Sequence, residues 1–177
     1  MINKISNIFA NYLYKYEGMP ERDVTEYSLR FIFTNLITFL LIVLVGLLTN
    51  NLFNTLLAAL SFSLFRMFSG GIHIKHPDLC ILVSVTIIYL VTNVPGYLNL
   101  NFVYFSVMSI VLTGIFAPSN IEDHSILNKN KHFIFKIISV LIIVAGFISK
   151  NDIVQFSFFV QSLTLIHLRP KGGEVNE

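Results

Sequence analysis

The stretch FIFTNLITFLLIVLVGLLT, residues 31–49, contains no charged side chain over nineteen positions. A helix needs about 20 consecutive apolar residues to cross the hydrocarbon core of a bilayer. The few polar side chains in this stretch are neutral threonines and one asparagine, which a membrane helix tolerates. The stretch therefore predicts a transmembrane helix, and it places the chain among membrane proteins.

The rest of the chain has the same apolar character. Of its 177 residues, 54% are hydrophobic and 12% are charged, whereas a soluble domain carries about 25% charged residues. Five further apolar segments follow the first, so we predict an all-α, polytopic membrane protein with six transmembrane helices. The predicted spans are Phe31–Thr49, Leu52–Phe68, Leu79–Val94, Leu100–Ala117, Phe133–Ser149 and Ile153–Leu168. Asn50-Asn51, Pro95-Gly96 and Pro118-Ser119-Asn120 provide turn residues between them.

An amphipathic segment precedes the first span. Ile2, Ile5, Phe9, Leu13 and Tyr16 recur at helical spacing, with polar residues between them. Such a helix either lies along the membrane surface with its apolar face in the lipid or packs against the helix bundle. The spacing leaves both arrangements open.

The basic residues predict the orientation of the chain. If the N-terminus is cytoplasmic, 11 of the 12 lysines and arginines lie inside and only Lys150 lies outside, as the positive-inside rule requires. We therefore predict that both termini are cytoplasmic in a multi-pass protein of the cell membrane without a cleavable signal peptide. The predicted single domain, residues 1–177, comprises an N-terminal amphipathic segment, a six-helix bundle and a cytoplasmic tail, at residues 1–28, 31–168 and 169–177.

Reactive side chains are concentrated in the connection between the second and third spans, GGIHIKHPDLC, residues 70–80. This connection holds two of the five histidines and the only cysteine, which excludes an internal disulfide. Pro77 suits the first turn of a helix, so the third span is predicted to begin there with Cys80 in its opening turn. The positive end of that helix favours a thiolate.

A histidine in the same connection is a candidate base for this cysteine. On one straight helix His73 and Cys80 would stand about 10 Å apart along the axis, beyond hydrogen-bond reach. The Gly70-Gly71 pair and Pro77 interrupt that helix, and a loop that folds back brings the imidazole onto the sulfur. The spacing permits a Cys–His dyad without requiring one.

Several other interpretations stay open at this point. His76 is a rival base, and His73, His76 and Cys80 together offer three possible zinc ligands, although an HExxH pattern is absent. The cysteine is also compatible with inert packing in a small membrane channel or scaffold that has no enzymatic activity. Ser84, one turn after Cys80, is a candidate for a hydrogen bond within the bundle. A net charge of +2 without a basic run argues against nucleic acid as a partner.

The pattern Arg66-x3-Gly70-Gly71-x-His73-x6-Cys80-x3-Ser84 resembles the signature of the accessory gene regulator B family, membrane-embedded cysteine endopeptidases of Gram-positive bacteria. The resemblance extends over nearly the whole chain, from the amphipathic N-terminus to the Ala-Pro that ends the fourth span. One difference is that the following loop, SNIEDHSILNKNK, lacks the proline of the Asn-Lys-Pro-like run that the family more often has.

The resemblance implies a reaction and a partner. Cys80 would be the nucleophile and His73 the base in cleavage of an AgrD-like precursor peptide, which leaves as a thiolactone or lactone signal for quorum sensing. It also implies a homodimer, and we expect neither a cofactor nor a metal. Arg66 and Lys75 flank the loop and are candidates for attracting an acidic substrate tail, although for Lys75 we favour a role in orientation alone.

Overall fold

The computed structural model describes residues 1–15, 21–71, 74, 76–97, 103–118 and 129–166. All secondary-structure elements within these ranges are helices, which confirms the all-α prediction. They are α1 (Ile2–Leu13), α2 (Arg22–Leu48), α3 (Leu52–Ser69), α4 (Pro77–Tyr97), α5 (Val103–Phe116), α6 (Lys129–Ile148) and α7 (Asp152–Leu163).

Three of the helices, α2, α3 and α4, are long and apolar enough to cross a membrane. Only 11%, 33% and 22% of the residues in their apolar windows are buried, so most of their apolar side chains point outward, as lipid contact requires. The apolar helices α5 and α7 have 14 and 12 residues. At 1.5 Å per residue they reach about 21 and 18 Å, less than the roughly 30 Å of hydrocarbon. Each predicted span coincides with one helix, but six crossings remain a prediction.

The described residues fall into two compact units. The first consists of Met1–Ser61 and His73–Leu100, the second of Phe62–Ile72 and Asn101–Glu177. Helix α3 contributes its first part to one unit and its last two turns to the other. The connection that holds the reactive residues therefore leaves the second unit and enters the first.

In the first unit, α1 packs against α2 and α4. Its buried stripe is Ile2, Ser6 and Ala10, and small residues at this spacing let two helices approach closely. Of the apolar face predicted from the sequence, Ile2 is buried, Ile5 and Leu13 are half-buried and Phe9 is 49% exposed; Ile8, outside that face, is 66% exposed. Helix α1 thus has both a packing face and an outward apolar face.

In the second unit, α5 packs against α6 and α7 through small polar side chains. Ser106, Ser109 and Thr113 form the buried stripe of α5. Ser106 Oγ donates to Gln155 Oε1 of α7 at 2.9 Å, and Ser109 Oγ donates to the carbonyl of its own helix four residues back. Hydrogen bonds of this kind satisfy polar groups that lie in an apolar environment.

The observed helix boundaries match the predicted ones at two places and differ at one. Asn50 takes a positive φ of 52° between α2 and α3, as the predicted turn requires. Helix α4 begins at Pro77 as predicted. The turn predicted at Pro95-Gly96 is wrong, because α4 continues through Pro95 to Tyr97. Membrane helices accommodate an internal proline more readily than soluble ones.

Candidate active site

Helix α3 ends in a turn made by two glycines. Arg66 lies in its last turn, where a cation is favoured by the helix dipole, and its carbonyl accepts a hydrogen bond from Gly70 N at 2.9 Å. Gly70 has a φ of +73° and Gly71 a φ of +133°. Both angles disfavour any residue with a side chain, so the glycine pair sets the direction in which the chain leaves α3.

A buried glutamine of α7 fixes this turn. Gln161 Nε2 donates to the Gly70 carbonyl at 2.8 Å and is 3.5 Å from Ser69 Oγ. Its Oε1 accepts from Thr164 Oγ1 at 3.1 Å. The Gln161 side chain is fully buried, so these bonds satisfy both ends of an amide that has no access to solvent.

The space beside Gly71 excludes a side chain as well. A Cβ atom added to Gly71 would lie 2.8 Å from Thr164 Oγ1 and 3.2 Å from Gln161 Nε2. We call Gly70, Gly71, Gln161 and Thr164 the glycine clamp. The clamp requires glycine at residue 71 for two independent reasons, backbone conformation and contact distance.

The cysteine lies at the other end of the connection, in the first turn of α4. Cys80 N donates to His76 O at 3.0 Å, which is the first hydrogen bond of that helix. Pro77 costs no hydrogen bond at the first helical position, so it is compatible with this turn. Cys80 and Ser84 are both half-buried and share one face of α4, one turn apart.

The same turn is joined to the N-terminus of α1. Asp78 Oδ2 accepts from the Met1 amino group at 2.7 Å, and Oδ1 lies 3.5 Å from Ile2 N. Ile2 and Pro77, next to the exposed ion pair in the sequence, are both buried. The sequence reasoning did not single out this contact between α1 and the helix turn that carries the cysteine.

Two of the predicted site residues, His73 and Lys75, lie outside the described residues, so the Cys–His dyad stays a prediction. The zinc interpretation includes His73 and stays untested for the same reason. Within the described ranges, no group of three or more His, Cys, Asp or Glu side chains is placed to hold a metal ion. Cys80 is a free thiol.

Comparison with known proteins gives the family. The model of the family Accessory gene regulator B matches residues 6–168. The chain belongs to the accessory gene regulator B family. The resemblance read from the sequence is therefore confirmed, and the match includes both the Arg66–Ser84 pattern and the glycine clamp.

Named relatives support this membership over most of their lengths. A putative AgrB-like protein of Halalkalibacterium halodurans is 30% identical over 88% of this chain and 86% of its own. A putative AgrB-like protein of Clostridium beijerinckii is 29% identical over 87% and 82%. The accessory gene regulator protein B of a Staphylococcus aureus strain is 26% identical over 93% of both chains. No solved structure matches this family member.

The sequence reasoning missed Gln161 and Thr164 of the clamp. A signal was present, because Gln155 and Gln161 are the only glutamines of the chain and both lie in the last predicted span. Amide side chains in a membrane helix commonly bond to a neighbouring helix. The sequence alone does not indicate the acceptor, since the Gly70 carbonyl is 91 residues away in the chain.

Proposed function

We propose that this chain is a membrane cysteine endopeptidase that cleaves an AgrD-like precursor peptide and promotes its cyclisation to a thiolactone or lactone signal. The observation that carries the proposal is the position of Cys80, half-buried in the first turn of α4 in a member of the accessory gene regulator B family. Cys80 is the only cysteine of the chain, so it alone can be the nucleophile that a cysteine endopeptidase requires.

In the first step, Cys80 Sγ attacks the carbonyl carbon of the scissile peptide bond. His73 accepts the thiol proton and transfers it to the amine of the departing C-terminal tail as the C–N bond breaks. The N-terminal part of the precursor remains attached to Cys80 as a thioester. The glycine clamp contributes by fixing where the chain leaves α3, two residues before the proposed base.

In the second step, a cysteine thiol or a serine hydroxyl within the precursor attacks the thioester carbonyl. A ring closes, the bond to Cys80 Sγ breaks, and the proton of the attacking group returns to the Cys80 sulfur. Exchange of one thioester for another is nearly neutral in free energy, whereas water would hydrolyse the intermediate irreversibly. A half-buried cysteine restricts access of water to the intermediate.

Positive charge near the site can orient the precursor peptide by attracting its acidic tail. We place the acidic tail of the precursor near Arg66, because a guanidinium binds carboxylates with good geometry. Lys75 is a second cation of the same connection, with orientation of the chain as its main role. Gly70, Gly71 and Ser84 are supporting residues that shape the site and take no part in proton transfer.

The decisive experiment uses the purified full chain in liposomes with a precursor peptide. Cys80→Ala should abolish cleavage and leave peptide binding unchanged, and Cys80→Ser should be nearly as inactive, since serine is a much weaker nucleophile without a strong base. Ser84→Ala is the matched control on the same face of α4 and should retain cleavage. Full cleavage by Cys80→Ala would refute the mechanism.

A thiol-reactive probe separates the enzyme from an inert channel or scaffold. A catalytic thiol labels at neutral pH and loses this labelling in His73→Ala, whereas an inert cysteine shows no such dependence. A strong chelator tests the zinc-dependent alternative directly, because loss of cleavage on chelation would require a metal.

The proposed orientation places the active site and both termini at the cytoplasmic face of the cell membrane. Cysteines introduced at Thr49, Gly96 and Asp152 in a Cys80→Ala background should react with an impermeant thiol reagent on intact cells. Cysteines at Lys15 and Ser125 should react only after permeabilisation. Labelling at Ser125 from outside would refute the six-span arrangement. The proposed homodimer is tested by cross-linking of the reconstituted protein.

A further inference from the structure

A cleft opens between α1 and α2 on the first unit, away from Cys80 in the chain. Its volume is about 540 Å³, large enough for a small polar group. The lining residues are Asn3, Lys4, Asn7, Ile8, Glu26 and Arg30. Two side-chain amides, two cations and one carboxylate thus surround one space.

The carboxylate of this cleft is already satisfied. Glu26 Oε1 accepts from Arg30 Nη2 at 2.8 Å, and Oε2 lies 3.3 Å from Asn7 Nδ2 and 3.7 Å from Arg22 Nη2. A carboxylate with three such partners has little remaining attraction for a cationic ligand. The cleft therefore does not favour a positively charged group.

The two cations of the lining, Lys4 and Arg30, can in contrast still donate hydrogen bonds to a ligand. Arg30 Nε is buried and donates to no atom among the described residues. The Arg30 side chain as a whole is 38% exposed, so the rest of its guanidinium is accessible from the cleft. Because Lys4 is also part of the lining, the lining carries two positive charges against one negative. The chemistry fits an oxyanion that accepts several hydrogen bonds.

The position of Arg30 along α2 indicates where in the membrane this cleft lies. Arg30 directly precedes Phe31, the first residue of the uncharged stretch. Each headgroup layer extends about 5–8 Å beyond the hydrocarbon, which corresponds to roughly three to five residues of helix at 1.5 Å per residue. Arg30 and Glu26 therefore lie at the level of the lipid phosphates. Ile8, at the rim, is 66% exposed and offers an apolar surface to an acyl chain.

We propose that the cleft between α1 and α2 binds the phosphate group of an anionic phospholipid. The Arg30 guanidinium and Lys4 Nζ donate to the phosphate oxygens, and an acyl chain lies over Ile8. A zwitterionic lipid would bring a cation for which the satisfied Glu26 offers no place. The proposal does not depend on the endopeptidase mechanism, because it concerns neither Cys80 nor the glycine clamp.

The test exploits the absence of tryptophan from the chain. The full chain with Ile8→Trp is reconstituted in phosphatidylcholine vesicles that contain brominated phosphatidylglycerol or, at the same mole fraction, brominated phosphatidylcholine. Quenching should be stronger with the brominated anionic lipid. Lys4→Gln and Arg30→Gln should each reduce this preference roughly fivefold, as expected for loss of one basic contact to an anionic lipid. Tyr12→Trp, on the apolar face outside the cleft lining, is a second reporter in case Ile8→Trp disturbs the cleft.

Arg22→Gln is the matched control. It removes one positive charge and one contact to Glu26, like Arg30→Gln, but Arg22 does not line the cleft. An unchanged lipid preference in Arg22→Gln supports a defined site. An equal loss in all three variants would show diffuse attraction to a charged surface and overturn the proposal, as would the absence of any preference in the parent reporter.

Two further arms identify the source of the oxyanion. Inorganic phosphate, compared with chloride at equal ionic strength, should not displace the brominated anionic lipid, because it lacks the acyl contact at Ile8. A short peptide of five acidic residues should not displace it either. Displacement by phosphate would assign the cleft to a free anion, and displacement by the peptide would assign it to a protein partner; either result overturns the lipid proposal.

Discussion

The connection between α3 and α4 has two very different ends. Where the chain leaves α3, the Gly70 carbonyl accepts a 2.8 Å hydrogen bond from the fully buried Gln161. Where it enters α4, the first turn is held by an exposed ion pair between Asp78 and the Met1 amino group. A buried hydrogen bond is costly to break, whereas an exposed ion pair contributes little. We call the end at α3 the exit and the end at α4 the entry. The exit is therefore rigid, and the entry is adaptable.

This difference suits a site that must hold the proposed base, His73, in place and also admit a peptide substrate. The rigid exit fixes the origin of the segment that contains His73, while the half-buried Cys80 remains accessible to a peptide. The proposed pair of Cys80 and His73 would in this way keep its geometry at one end and gain access at the other. The following predictions test whether the two ends differ as much in function as in structure.

The largest effect is expected inside the connection. His73→Ala should lower the rate of precursor cleavage by at least about 100-fold, since removal of a general base costs two to four orders of magnitude. His76→Ala, next to the exposed entry, should retain at least roughly a tenth of the rate. Both rates are measured on the purified protein in liposomes. A reversed result would make His76 the base, and loss in both variants would favour the zinc interpretation.

The next effect is expected at the rigid exit. Gly71→Ala should destabilise the protein by about 1–3 kcal/mol, the cost of a strained backbone, and reduce cleavage, because the added Cβ meets Thr164 Oγ1 at 2.8 Å. Thermal unfolding in detergent measures the stability. Gly96→Ala is the matched control, since nothing lies within 4 Å of an added Cβ there. Equal stability of the two variants would remove the basis for a rigid exit.

The glutamine of the clamp should show an intermediate effect. Gln161→Leu leaves the part-buried Gly70 carbonyl without its 2.8 Å donor, which costs about 1–3 kcal/mol. Gln155→Leu removes the bond to Ser106 on the same helix and serves as the control. If the clamp positions the connection, cleavage falls only in Gln161→Leu while both variants lose stability. A parallel fall in both would reduce Gln161 to a structural role.

The smallest effect is expected at the exposed entry. Asp78→Asn keeps the shape of the side chain and removes the charge that pairs with the Met1 amino group. Because the ion pair is exposed to solvent, the cleavage rate should change less than about threefold. A loss comparable to that of Gly71→Ala would show that the entry is as tightly specified as the exit.

Much of the fold follows from apolar patterning. Each of the six predicted apolar spans overlaps a helix of the structure. Helix α4 begins at Pro77, as predicted, because proline fits the first turn of a helix. The turn predicted at Pro95 was wrong, because the rule that proline ends a helix describes soluble proteins and is weaker for membrane helices. The sequence left the packing of α1 open, because the buried stripe includes Ser6 and Ala10, which hydrophobicity alone does not select.

The candidate site was predictable only in its local parts. Cys80, His73 and the glycine pair are close in sequence, so their chemistry is readable from spacing. Asp78 and Gln161 act on segments 77 and 91 residues away, and contacts between distant segments depend on helix packing that periodicity does not specify.

The bond between Gln161 and Gly70 also has a consequence for biogenesis. The acceptor carbonyl at the end of α3 is synthesised 91 residues before its donor, an interval of roughly 5 to 18 s at about 5–20 residues per second. Until Gln161 of α7 has been synthesised, the Gly70 carbonyl lacks this donor. A chain truncated before α7 keeps this defect permanently. Synthesis of the last described helix is thus the event that completes the exit from α3.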